Sequence, residues 1–182
     1  VNAVKVEGGR QRLQVIAALL NAEIPVMGHL GLTPQSVNHM GGYRVQGRGP
    51  KSATRMVDEA RLLADAGCFA LVLECVPQDL AAEISCAISI PTIGIGAGAG
   101  CDGQVLVFHD MLGLFDGMSP KFVKQYANLG ELGRKGIARY VDDVRNGVFP
   151  GPEHSYDTVR EEKSPKDVIG PGYMADVENG KA

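Results

Sequence analysis

No excess of positive charge runs through this sequence. Its 182 residues carry a formal net charge of −3, and nowhere are Lys and Arg dense enough to neutralise a run of phosphates. Nucleic acid is therefore not an expected partner. Long apolar runs are missing as well. Stretches such as Phe69–Leu73 and Val105–Phe108 fall far short of the roughly twenty residues that a membrane-spanning helix requires, so no membrane is expected either. No CxxC pair occurs among Cys68, Cys75, Cys86 and Cys101. Their apolar or glycine-rich neighbours point instead to buried free thiols in a reducing compartment. Neither an initiator Met nor a signal-peptide pattern stands at Val1. A cytoplasmic location is the expectation, with the mitochondrion as its eukaryotic counterpart.

What is present suffices for a core: 45% of the residues are hydrophobic, in keeping with one globular domain. Short apolar strands alternate with helix-length amphipathic segments. Val1–Glu7 reads as a strand, Arg10–Asn21 as a helix and Ile24–Leu30 as a second strand. Across Ser52–Ala66 the apolar residues Met56, Val57, Ala60, Leu63 and Ala64 recur at helical spacing. Ser52 is expected to cap that helix and Gly67 to end it. The pattern continues with a strand over Phe69–Cys75, a helix over Pro77–Ile88, and strands over Pro91–Ile95 and Val105–Phe108. Lys121–Asn146 predicts one or two helices, broken around Gly130–Gly136. Strands this apolar imply burial on both faces and hence a parallel α/β sheet. Residues 1–156 form the expected domain, and 157–182 read as a polar, weakly ordered tail interrupted by Pro165 and Pro171.

In parallel α/β folds the working side chains stand at the carboxyl ends of strands. The first strand ends Lys5-Val6-Glu7-Gly8-Gly9, and residues two apart share a face, so Lys5 and Glu7 point one way and Val6 the other. Lys5 could bind an anionic substrate and Glu7 a cation; the pair could equally be an exposed ion pair at a strand end. Glu74 closes an otherwise apolar strand and shares its face with Val72 and Ala70. If that face is enclosed, the carboxylate suits a general base; if it meets solvent, Glu74 merely ends the strand. His29 ends the second strand and could aim into the same mouth or serve as a structural histidine. His39, His109 and His154 show no metal-ligand spacing with it. The glycines of Gly94–Gly100 match neither phosphate-loop pattern and are expected to keep side chains away from a bound ligand. Gly41–Gly49, with Arg44 and Arg48, reads as a lid or a plain surface loop.

Together the stretches VKVEGG (Val4–Gly9), GHLGLTPQSV (Gly28–Val37), GGYRVQGRG (Gly41–Gly49), LVLECVP (Leu71–Pro77), IPTIGIGAG (Ile90–Gly98) and DGQVLVFHDMLG (Asp102–Gly113) resemble the ketopantoate hydroxymethyltransferases, in the same order and up to about Tyr156. The resemblance implies a (β/α)8 TIM-type barrel, here incomplete and beginning near strand 4. It also implies transfer of a hydroxymethyl group from 5,10-methylenetetrahydrofolate to 3-methyl-2-oxobutanoate, with Mg2+ as cofactor and a homo-oligomer, often a decamer, as the assembly. By that resemblance Glu74 is the proton-abstracting base, Lys5 contacts the keto acid and Glu7 is the third acidic group of the metal site. The family's front part of about a hundred residues, roughly three βα units with the pair of aspartates that ligate the metal directly, has no counterpart here. The chain alone is accordingly expected to be inactive. The competing expectations are another magnesium-dependent 2-keto-acid barrel enzyme of the phosphoenolpyruvate mutase or isocitrate lyase type, and a non-catalytic barrel fragment.

Overall fold

A computed structural model describes residues 1–36, 38, 42–115, 117 and 119–157. His39, Gly41 and nearly all of the expected tail lie outside the described residues. The chain divides into two compact units, Val1–Leu132 and Gly133–Ala182.

The first unit is built on five parallel strands in sequential order: β1 (Val4–Glu7), β2 (Val26–Gly31), β3 (Ala70–Glu74), β4 (Thr92–Ile95) and β5 (Gly103–Gln104). Helices α1 (Leu13–Asn21), α2 (Pro50–Asp65) and α3 (Gln78–Ala87) connect them. Each new strand adds on the same side, which is the arc of a (β/α) barrel rather than a doubly wound sheet with reversed order. The arc is open, since β1 and β5 pair with one neighbour each. Its α/β class and its strand succession match the expectation from periodicity.

Alternation along the strands decides which side is covered. Val4, Val6, Val26, Leu30, Leu71 and Leu73 point to the helices and pack with Ile16, Met56, Leu63, Leu80 and Ile84 in one cluster. Leu63 and Leu71 are wholly buried there, and truncating either to Ala costs about 2–5 kcal/mol. The opposite face carries Lys5, Glu7, Met27, His29, Val72, Glu74, Ile93 and Ile95. On that face Lys5 is exposed, and Met27 and Ile93 are half-buried. The expectation of burial on both faces therefore holds on the helix side and in part on this one, where Ala70, Val72, His29 and Ile95 are buried while Lys5 is exposed.

Local chemistry explains four departures from the sequence reading. Helix α2 begins at Pro50, not Ser52, because proline is pre-set for a first helical position. Gly49 becomes the cap, and the Ser52 hydroxyl accepts from its N–H at 3.1 Å and donates to its carbonyl at 2.7 Å. Gly67, at φ +97, ends the segment as expected. The strand expected at Val105–Phe108 does not form there: β5 lies just before it at Gly103–Gln104, one more ladder bond runs from Val105 N–H to the Gly94 carbonyl, and the chain then turns into the short helix α4 (Phe108–Met111). Helix α5 (Leu129–Arg145) runs without a break through Gly130, Gly133 and Gly136. Glycine costs a helix about 1 kcal/mol without stopping it, and Asn128 starts this one by accepting from the Glu131 N–H. Lastly, the cysteines are free but not all buried: Cys68 is, Cys75 and Cys101 are half-buried, and Cys86 is exposed.

In the second unit, Phe149 packs edge-on against Tyr140, with ring centres 5.5 Å apart, and lies 5.1 Å from the His154 ring. Among the described residues no helix is long and apolar enough to cross a membrane.

Candidate active site

Register brings the acidic strand ends together. Glu7 is the partner of His29 across β1 and β2, and His29 is the partner of Val72 across β2 and β3. Glu74 lies two residues beyond Val72, on the same face. His29 thus stands between two carboxylates contributed by the strands on either side. Its Nδ1 is 3.6 Å from Glu7 Oε1 and its Nε2 is 3.3 Å from Glu74 Oε2. The histidine side chain is fully buried, and those of Glu7 and Glu74 are only 10% and 17% exposed. Neither ring nitrogen makes a hydrogen bond of good geometry, so the ring meets both acids as loose polar contacts.

The surrounding backbone holds these ends in place. Gln35 N–H donates to Glu7 Oε2 at 3.1 Å. Gly8 N–H donates to the His29 carbonyl at 3.0 Å, and Leu32 N–H to the Glu74 carbonyl at 2.8 Å. Immediately after Glu74 the chain bends sharply, with Cys75 at φ 51, a conformation disfavoured for any residue but glycine. Both polar backbone groups of Cys75 are nonetheless paired, its N–H with Ile95 and its carbonyl with Gln46 N–H. Burial pushes the Cys75 thiol up, and the Glu74 charge adds to the effect, so the sulfur is held protonated and is a poor nucleophile.

Glu7 and Glu74 thus converge, whereas Lys5 lies on their face one pleat earlier, roughly 7 Å along β1, exposed and without an ion pair among the described residues. The loop carrying Arg44 and Arg48 is tied to the same strand end by Gln46. A cleft of about 390 Å³ opens beside these ends, lined among others by Gly8, Gly31, Thr33, Gln46 and Arg55. A larger hollow of about 860 Å³ lies between Arg10 and α2, and neither it nor the cleft is lined by Lys5, Glu7, His29 or Glu74.

The glycines of Gly94–Gly100 make room for the protein's own side chains, not for a ligand as expected. Gln104 and Cys101 cover Gly94, the Phe122 ring covers Gly96, and Gln78 fills the space at Gly98. One network escaped the sequence reading. Asp102 Oδ2 accepts from the Thr92 N–H at 2.8 Å and from the Thr92 hydroxyl at 3.0 Å, and that hydroxyl meets Ser85 Oγ at 2.7 Å. The Thr92 backbone N–H, and then its hydroxyl, hold the Asp102 carboxyl below the usual carboxylate range. Nothing in the spacing of these residues signals it.

Among the described residues no group of three or more His, Cys, Asp or Glu side chains is arranged to hold a metal ion. Glu7 fits as a single carboxylate ligand of a hard cation, which typically keeps waters and substrate oxygens as its other partners.

A family model, ketopantoate hydroxymethyltransferase, matches residues 1–152. The chain belongs to this family. Proteins named 3-methyl-2-oxobutanoate hydroxymethyltransferase are similar to it throughout the same region. That of Clostridium novyi is 55% identical over 85% of this chain and 56% of its own length. That of Moorella thermoacetica is 58% identical over 85% and 58%, and that of Methylobacterium sp. 60% identical over 85% and 54%. The chain therefore spans about half the length of the ketopantoate hydroxymethyltransferases it matches. One solved structure, described as a putative lyase/mutase from Burkholderia cenocepacia, aligns with 92% of this chain and 58% of its own at a TM-score of 0.36 and 14% identity, too distant to argue from.

Proposed function

We propose that this chain supplies the base and the keto-acid contacts of an enzyme that transfers a hydroxymethyl group from 5,10-methylenetetrahydrofolate to 3-methyl-2-oxobutanoate, giving 2-dehydropantoate for pantothenate and coenzyme A synthesis. The observation that carries the reading is Glu74: a nearly enclosed carboxylate at the carboxyl end of β3, above the buried Ala70 and Val72 and facing His29.

The hydrogen on C3 of the keto acid is a weak acid, and the reaction needs a base beside it. Glu74 takes that proton, and the C–H electron pair moves to the keto oxygen as the enolate forms. Water hydrolyses both C–N bonds of the folate's methylene bridge, which gives the one-carbon unit as formaldehyde and releases tetrahydrofolate; the enolate carbon adds to that carbonyl, and the new alkoxide takes the proton back from Glu74 to become the product hydroxyl. Lys5, on the same face, holds the substrate carboxylate by charge. Glu7 would supply one ligand to Mg2+, which when bound would polarise the keto group. The assembly in this reading is a cytoplasmic homo-oligomer of the decameric type.

Deuterium exchange at C3 of 3-methyl-2-oxobutanoate, followed by NMR with magnesium and tetrahydrofolate in a chain extended to the length of its relatives, tests this. Exchange that disappears in Glu74→Gln is the expected result. Exchange of full size in that variant would remove Glu74 from the role of base.

A further inference from the structure

We propose that His29 is a positioning residue of this site: it fixes Glu74 through Oε2, leaves Oε1 free to receive the substrate proton, and ties the base to Glu7 on the far side. The inference rests on Glu74 being the base and adds the residue that aims it.

The placement argues for such a role. His29 lies in the middle strand of the three, fully buried, where its register neighbours on that face are Glu7 and Val72 and the preceding residue of the face is Met27. An apolar side chain would suit a merely structural position here, because an imidazole buried without use of its nitrogens is unfavourable. Neither nitrogen is hydrogen-bonded, yet one faces each flanking carboxylate, at 3.6 Å and 3.3 Å, so a buried imidazole is kept here with both polar edges aimed at the acids. A planar ring with nitrogens on two edges can serve acids on both sides at once. Without it, Glu7 and Glu74 would face each other across β2 with nothing polar between them.

Each carboxylate is also held once from elsewhere or tied at its backbone. Gln35 N–H takes Glu7 Oε2, and the Glu74 carbonyl takes Leu32 N–H. The remaining freedom lies in the Glu74 side chain itself, whose polar side-chain contact among the described residues is with His29. A base must lie within hydrogen-bond reach of the proton it removes, so the rotation of this carboxylate is what His29 controls.

The test compares His29→Gln, His29→Asn and His29→Ala in the extended protein, with thermal melts for folding. The amide nitrogen of Gln falls near the Nε2 place, toward Glu74, and that of Asn near the Nδ1 place, toward Glu7. Rates of C3 deuterium exchange give kcat and KM, and calorimetric titration with magnesium alone gives metal affinity. His29→Ala is expected to lower kcat for exchange by about tenfold to a hundredfold, the usual cost of losing a partner that orients a working ligand, with KM within about threefold. His29→Gln is expected to recover most of that loss. His29→Ala is also expected to weaken magnesium binding by freeing Glu7, and His29→Asn to recover that affinity but not kcat. An unchanged kcat in a folded His29→Ala, or a Gln variant no better than Asn in exchange, overturns the proposal. So does failure of all three variants to fold, which would make His29 a residue of the core. Absence of exchange in the unsubstituted protein is a separate outcome, because it removes the Glu74 reading itself and this inference with it.

Discussion

Gly31 and Glu74 are partners across the β2–β3 ladder, and the Glu74 carbonyl occupies the space that a Cβ on Gly31 would need. Gly31 also sits at φ +94, where an L side chain is strained whatever the room. The backbone that carries the proposed base is thus set by a residue without a side chain.

Gly31→Ala is consequently expected to destabilise the protein by more than about 2 kcal/mol, from backbone strain plus displacement of the neighbouring strand end. Urea unfolding of the substituted and parent proteins measures the loss. Exchange at C3 should fall at the same time, since Glu74 moves with its carbonyl. Equal stability of the two proteins would contradict the close approach.

Direct substitution separates the acid–base role from substrate binding. Glu74→Gln is expected to lose about a hundredfold to ten-thousandfold in kcat. Lys5→Met should mainly raise KM for the keto acid, by about tenfold or more, the worth of one charge-assisted contact. Steady-state kinetics with both substrates gives the split, and a Lys5 variant whose KM is that of the parent would exclude the lysine from substrate binding.

Asp102 predicts an acid-sensitive element of stability. Its folded pKa is lowered by the Thr92 N–H and hydroxyl, so the network contributes fully above the carboxyl's unfolded pKa, about 3.9, and is lost as pH falls through the lower folded value. Asp102→Asn should therefore unfold at lower urea than the parent at pH 7, and the two midpoints should converge in acid. A gap that persists at low pH would place the effect elsewhere than on the carboxylate charge.

The 182-residue chain by itself is expected to turn over no substrate and to bind magnesium weakly. Its described residues hold no group of three metal-binding side chains, and its sheet is an open arc whose terminal strands pair on one side only. Supplying the matching front half from a relative should restore exchange. Turnover by the short chain at the long form's rate would overturn this.

Much of the architecture was legible because it is encoded locally. The alternation of apolar strands with amphipathic helices predicts a parallel α/β fold, and the period of two along β1 puts Lys5 and Glu7 on one side with Val6 on the other. Glu74 was likewise visible as the single acid closing an apolar strand. Glycine was the misleading signal. In α5 it did not break the helix, and at Gly94–Gly98 it made room for Gln104, Phe122 and Gln78.

The sequence by itself determined the kinds of element, the faces of the strands and the acids at their ends, since each depends on residues a few positions apart. Only the tertiary structure decided that His29 lies between Glu7 and Glu74, that Asp102 ties down Thr92, and that the helices cover just one side of the described sheet. Those facts depend on the register between strands separated by whole helices. That register is set when Leu63, Leu71 and their neighbours pack into a shared core, and no short stretch of chain carries it.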